Sequence, residues 1–284
     1  MTDATTIPAQ SQDDHPGHEH KMTPQPDHEP RYAGSDRLKG EVAVITGGDS
    51  GIGRAVAHLF AREGADVAIV YFDEHEDAEA TKEIVEGEGR RCLLIAGDQA
   101  DAGFCRDAAK QVVDAFGRVD VLVNNAAVQQ SYEKLTDIPD EWLERTVRVN
   151  SLGYMFMTKA FLPHLKDGAR IINTTSINAF QGHSSLIDYS TTKGANLAFT
   201  RSMAANLVGD GIRVNAVAPG PVWTPFIPSG MEAEDVEGFG EGAPMGRAGQ
   251  PNELAPAYLF LACNDSSYIT GQTIHVNGGM IVGG

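Results

Sequence analysis

The sequence predicts a single doubly wound α/β domain: a seven-stranded parallel sheet with helices on both faces. Three observations carry this. From residue 41 onward, short apolar runs alternate with helical stretches, the pattern of βαβ units joined by right-handed crossovers. A glycine cluster, Gly47-Gly48-Asp49-Ser50-Gly51-Ile52-Gly53, separates the first apolar run from the first helix. Finally, a strand-like run from Ile171 delivers Ser176 at its end, and the next helix carries Tyr189 and Lys193 four residues apart.

Residues 1–36 differ from the rest. They hold five of the 14 prolines and four of the nine histidines, seven acids against two bases, and few large apolar residues. Such a composition buries too little surface to offset ordering entropy, so a disordered tail is expected. Its removal should leave stability and activity unchanged. His15, His18 and His20 offer weak metal ligands, but a solvated tail is the plainer reading and no metal site is expected. Residues 37–284 form the expected folded domain.

Glu41–Thr46 reads as the first strand and Arg54–Glu63 as the first helix. Glycines at such a junction let the backbone turn tightly, approach a pyrophosphate and aim the helix N-terminus at it. Strands are expected at Asp66–Tyr71, Arg91–Ala96 and Asp120–Val123, with helices at Glu76–Glu88 and Asp101–Phe116 between them. Two helical segments fill Pro139–Leu165. A fifth strand spans Arg170–Thr175, and a helix capped near Asp188 runs to Val208. Ile212–Val217 is the sixth strand. The Pro- and Gly-rich stretch Pro219–Gly249 is a loop long enough to act as a lid. A helix over Pro251–Cys263 and a strand over Thr273–Val276 complete the order.

Composition narrows the function. The chain has 284 residues, 42% of them hydrophobic, with a net charge of −17 and a pI near 4.8. Such acidity argues against nucleic acid or anionic membranes as partners. No apolar run reaches the ~20 residues that span a bilayer. The N-terminus has no secretory pattern. Cys92, Cys105 and Cys263 are scattered and odd in number, as in a reduced, cytoplasmic protein.

The chemistry concentrates around Tyr189. Lys193, on the same helix face, would as an ammonium favour the Tyr189 phenolate and lower its pKa from the usual ~10. Ser176 would hydrogen-bond a carbonyl or alcohol oxygen, whose proton Tyr189 would give or take. Ser190-Thr191-Thr192-Lys193 also spells the S-x-x-K of penicillin-recognising enzymes, but the S-D-N and K-T-G partners are absent.

Taken together, these motifs resemble the short-chain dehydrogenase/reductase family over residues 38–281. Thr46-Gly47-x-x-x-Gly51-Ile52-Gly53 is similar to its coenzyme turn, and Asn124-Asn125-Ala126-Ala127 to its N-N-A-G, with Ala127 in place of Gly. Asn150, Ser176, Tyr189 and Lys193 match its catalytic positions, and Pro219-Gly220 its P-G turn. The tail, with Trp223-Thr224-Pro225, further resembles a bacterial general-stress subgroup. The resemblance implies a Rossmann-like, NAD(P)-dependent oxidoreductase and a homotetramer. Tyr189 would be the general acid/base, Lys193 would hold the nicotinamide ribose, and Asn150 would hold a relay water. Gly47, Ser50, Gly51 and Ile52 would line the pyrophosphate and ribose. Tyr71, Phe72, Asp98 and Asn125 would line the adenosine side, and Pro219, Val222 and Thr224 the carboxamide end. A cofactor-binding sensor or scaffold on the same fold is the alternative.

The substrate reads only as a carbonyl/alcohol pair: an aldehyde, ketone or sugar. Ser176, Gln129, Ile177, His183, Leu186, Trp223 and Phe226 are the pocket candidates. Past the second strand come Tyr71-Phe72-Asp73-Glu74-His75, with no Arg or Lys, and the glycine turn carries Asp49. Acids there repel a 2′-phosphate, so the expected cofactor is NAD rather than NADP.

Overall fold

The computed structural model describes residues 6–282. Its strands are β1 (Val42–Thr46), β2 (Asp66–Tyr71), β3 (Cys92–Ala96), β4 (Val121–Asn124), β5 (Arg170–Thr174), β6 (Arg213–Pro219) and β7 (Thr273–Val276). Its α-helices are α1 (Gly51–Arg62), α2 (His75–Gly87), α3 (Ala102–Phe116), α4 (Asp140–Val147), α5 (Gly153–Phe161), α6 (Asn178–Gln181), α7 (Ile187–Leu207), α8 (Ala233–Val236) and α9 (Pro251–Ala262). The strands pair in parallel in the order β3-β2-β1-β4-β5-β6-β7. The strand order reverses between β1 and β4, and the carboxyl ends of these strands border the crevice where such folds bind ligands.

Burial on both faces explains why the strands read as continuous apolar runs. Ala43, Ile45, Val67 and Ile69 point into one core, against α1, α2 and α9. Val42, Val44, Ala68 and Val70, one residue out of step, point into the other, against α3, α5 and α7. This Rossmann-like sandwich matches the expected fold class, with most expected strand boundaries within one residue. The helix carrying Tyr189 starts differently. Leu186 holds its N-cap position without a side-chain cap, and Asp188 lies buried in the first turn.

The largest departure from expectation is the tail. Residues 6–36 are not a detached coil but run over the domain surface. Ile7 and Met22 join Trp223, Ile227, Val236 and Ala248 in a third apolar cluster. Glu19, 1% exposed, accepts the N–H of Gly51 at the start of α1 and pairs with buried Arg54. Asn252 N donates to Asp27 O at 2.9 Å, and Gly238 N to Ile7 O at 3.0 Å. The physical reason is that the segment is held by polar main-chain contacts and a few anchors, for which composition gives no signal. His18 and His20 approach Asp14 and Asp77.

Candidate active site

The glycine turn is built by close contact. Gly47 has φ +62° and donates its N–H to Val70 O at 2.7 Å. A Cβ on Gly53 would lie 1.8 Å from Gly47 O, so only glycine lets α1 start that close to β1. The N–H groups of Ile52 and Gly53 have no protein acceptor among the described residues. Unsatisfied amides at a helix N-terminus beside a glycine cradle fit a pyrophosphate. Thr46 Oγ1 accepts from the N–H groups of Asn125 (2.9 Å) and Ala126 (3.0 Å), fastening β4 to β1. Asn125 is chiefly a bridge: its Nδ2 donates to Thr46 O and Gly47 O, and its Oδ1 accepts from Thr174 Oγ1.

A cleft of about 540 Å³ runs along the carboxyl ends of the strands. It brings together Gly47, Ser50, Gly51, Ile52, Tyr71, Phe72, Asp98, Asn125, Pro219, Val222 and Thr224 at what would be the dinucleotide side. The same cleft is lined by Ser176, Tyr189 and Lys193, and by Gln129, Ile177, His183, Leu186 and Phe226. Trp223 is not part of it. That side chain is fully buried in the third cluster, its indole N–H donating to Pro24 O at 2.8 Å, which corrects its expected place in the pocket.

Strand β5 ends on Thr174, with Ser176 two residues beyond, and α7 turns Tyr189 and Lys193 inward. The Tyr189 ring packs 5.8 Å from that of Phe226. Lys193 Nζ donates to Thr174 O (3.0 Å) and lies 5.4 Å from the centre of the Tyr189 ring. Burial pushes the Tyr189 hydroxyl up to about 12, opposed by a hydrogen bond with Ser176. Burial pulls the Lys193 amine down to about 7. The expected lowering of the Tyr189 pKa by Lys193 is therefore not what the protein alone shows: desolvation governs both groups.

Asn150 is held by several bonds. It sits in a π-helical turn, Arg148–Leu152, between α4 and α5. Its carboxamide exchanges hydrogen bonds with the Val128 backbone at 2.8 Å each way, and its backbone carbonyl accepts from Asn196 Nδ2. Its Nδ2 also donates to Thr192 Oγ1 at 3.2 Å, so the side chain ties the cleft wall to α7.

Comparison with known proteins agrees with this geometry. A family model described as enoyl-(acyl carrier protein) reductase matches residues 47–281. General stress protein 39 of Bacillus subtilis is 56% identical, covering 97% of both chains. Glucose and ribitol dehydrogenase of Daucus carota is 50% identical over the full length of both. A solved short-chain dehydrogenase from Burkholderia cenocepacia, in complex with NADP, superposes with a TM-score of 0.80 at 33% identity, covering 86% of this chain and 98% of its own.

The chain is a short-chain dehydrogenase/reductase.

It is thus an oxidoreductase by family, and its relatives include the bacterial general-stress subgroup. Among the described residues, no helix is long and apolar enough to cross a membrane. Several residues that line this dehydrogenase/reductase cleft were not legible beforehand: His15, Trp142, Arg145, Gln181 and Phe239. Arg145 pairs with Asp98 and lies 5.5 Å over the Phe72 ring, placing a guanidinium at the end of the cleft expected to take the adenosine. It lies on α4, outside every motif. Glu74 is buried, and desolvation followed by the nearby Asp49 pushes it up to about 8. Burial likewise raises Asp49, to about 6.

Proposed function

We propose that this protein transfers a hydride between a nicotinamide dinucleotide and a carbonyl/alcohol pair. The observation that carries the reading is the convergence of Ser176, Tyr189 and Lys193 in the cleft that runs past the glycine turn. Gly47, Ser50, Gly51 and Ile52 would hold the pyrophosphate, and Lys193 a ribose hydroxyl. When bound, the dinucleotide supplies the hydride. Ser176 orients the substrate oxygen and polarises it. Tyr189, protonated through the neutral range, gives that oxygen its proton in reduction, and in oxidation its phenolate takes the proton back. Phe226, Leu186 and Ile177 exclude water, while Gln129 and His183 offer polar contacts. The mixed lining suits an aldehyde, a ketone or a sugar, and the carrot relative is named for a sugar and a polyol.

The test is a panel of aldehydes, ketones, sugars and polyols followed by nicotinamide absorbance. Turnover of at least ~1 s⁻¹, the low end for enzymes, is expected with some member. Dinucleotide binding without turnover on any member would instead favour a sensor.

The expectation of NAD rested on three acids. Asp49 and Glu74 are buried, and desolvation favours the uncharged acid at both, most at Glu74, while Asp73 is exposed. Arg145, although paired with Asp98, puts a cation at the same end. We infer that NAD is favoured only weakly. Phe72→Arg, at a half-exposed site, should raise the NADP-to-NAD ratio of kcat/KM by about tenfold, the worth of one charge-assisted contact to phosphate. A wild type that prefers either cofactor by more than that margin would contradict this reading.

A further inference from the structure

The outer wall of the cleft is formed by a part of the chain that the proposed chemistry does not use. His15 and Pro16, from the N-terminal segment, line it. The His15 ring lies 5.2 Å from that of Trp142, tilted by 47°, and its Nε2 is 2.6 Å from Gln130 Oε1. Burial lowers the His15 pKa, against the pull of the Gln130 hydrogen bond and of Asp14. The ring is therefore neutral at physiological pH. With Nε2–H donating to Gln130, Nδ1 keeps its lone pair.

The segment is seated firmly enough to act as a wall. Gln12 N donates to Pro228 O at 2.7 Å, and Ser229 Oγ donates to Pro16 O at 3.0 Å. Gly17, at φ +92°, lies so close to the loop that a Cβ there would be 2.7 Å from Pro225 O. The loop it rests on carries Phe226 and Ile227 into the same cleft. Further along, Glu19 ties the segment to α1. One face of the pocket is thus borrowed from the N-terminal segment, and one of the two residues that form it presents a flat, neutral ring.

We propose that the N-terminal segment is a wall of the substrate pocket and that His15 is a specificity-determining residue, selecting compact, hydroxyl-bearing carbonyl compounds over bulky apolar aldehydes. This rests on the hydride-transfer reading above. The ring takes up space beside Trp142, and its Nδ1 accepts from a substrate hydroxyl, which a bulky apolar aldehyde does not offer.

The experiment compares wild type, His15→Ala and His15→Phe in the full-length chain. For each, kcat/KM is measured with a short hydroxyaldehyde and with a substituted benzaldehyde, together with the KM for the dinucleotide. His15→Ala should shift the ratio towards the benzaldehyde by at least about tenfold, the scale of a pocket change of this size. The dinucleotide KM should stay constant. His15→Phe, which puts a somewhat larger ring without polar atoms in the same place, should continue to exclude the benzaldehyde while losing efficiency with the hydroxyaldehyde. A purely structural role would lower both substrates together and leave the ratio unmoved. An unmoved ratio in active protein overturns this assignment alone. A wild type inert towards every carbonyl overturns the hydride-transfer reading and the assignment with it.

Discussion

Replacing Tyr189 by phenylalanine is expected to reduce turnover by at least ~100-fold, the scale of general acid–base catalysis. The substitution removes one oxygen and nothing else. The ring keeps its packing against Phe226, and Lys193 keeps its bond to Thr174 O, so the cleft retains its shape. Dinucleotide affinity, which the proposed reading places mainly at the glycine turn and Lys193, should be almost unchanged. Steady-state kinetics alongside a binding titration separates the two effects, since loss of a group acting on the transition state lowers kcat without weakening the cofactor. Near-normal turnover in the purified variant would remove Tyr189 from its proposed role.

Deleting residues 1–30 should lower the melting temperature by at least about 5 °C. Ile7 and Met22 would leave the cluster around Trp223, and the indole N–H would lose Pro24 O. Arg54, 6% exposed, would lose the Glu19 carboxylate and keep only Asp77 as a charged partner. A hydrogen bond to a charged group contributes roughly 1.5–3 kcal/mol, burial of Ile7 and of Met22 roughly as much each, and in a domain of this size each kcal/mol is worth about 2–4 °C. The Asp77 contact offsets part of that loss. Composition alone predicts no change, so thermal unfolding of the truncated chain decides between the two views. A melting point within about a degree of wild type would mean that the tail contacts contribute nothing.

What was legible in the sequence follows from which interactions leave a pattern. Strands buried on both faces must be apolar throughout, so Val42–Thr46 and Asp66–Tyr71 declare themselves. The glycine turn is legible because contacts as close as that between Gly53 and Gly47 admit no other residue. Tyr189 and Lys193 share a face by helical period alone. The tail left no such trace. Its anchors are single residues such as Glu19, its other bonds are mostly main-chain, and neither has a period. Trp223 was misplaced for a related reason: its neighbours in the sequence line the cleft, but the tail draws its ring to the opposite side. Arg145 and Glu74 depend on distances between separate elements, and sequence spacing does not encode these. Nor does it encode the desolvation that separates the Tyr189 and Lys193 pKa values.

The chain contains only two tryptophans, and both stand where the N-terminal segment meets the body. The Trp223 indole N–H is held by Pro24 O, and Trp142 lies beside the tilted His15 ring at the cleft. The protein therefore carries its own optical gauge. Withdrawal of the segment wets the indole of Trp223 and uncovers that of Trp142, so both emission maxima would move to longer wavelength together. Entry of a ligand beside a seated segment disturbs Trp142 alone. Tail seating and cleft occupancy can thus be followed separately in the unlabelled protein, through the colour and the intensity of its own fluorescence.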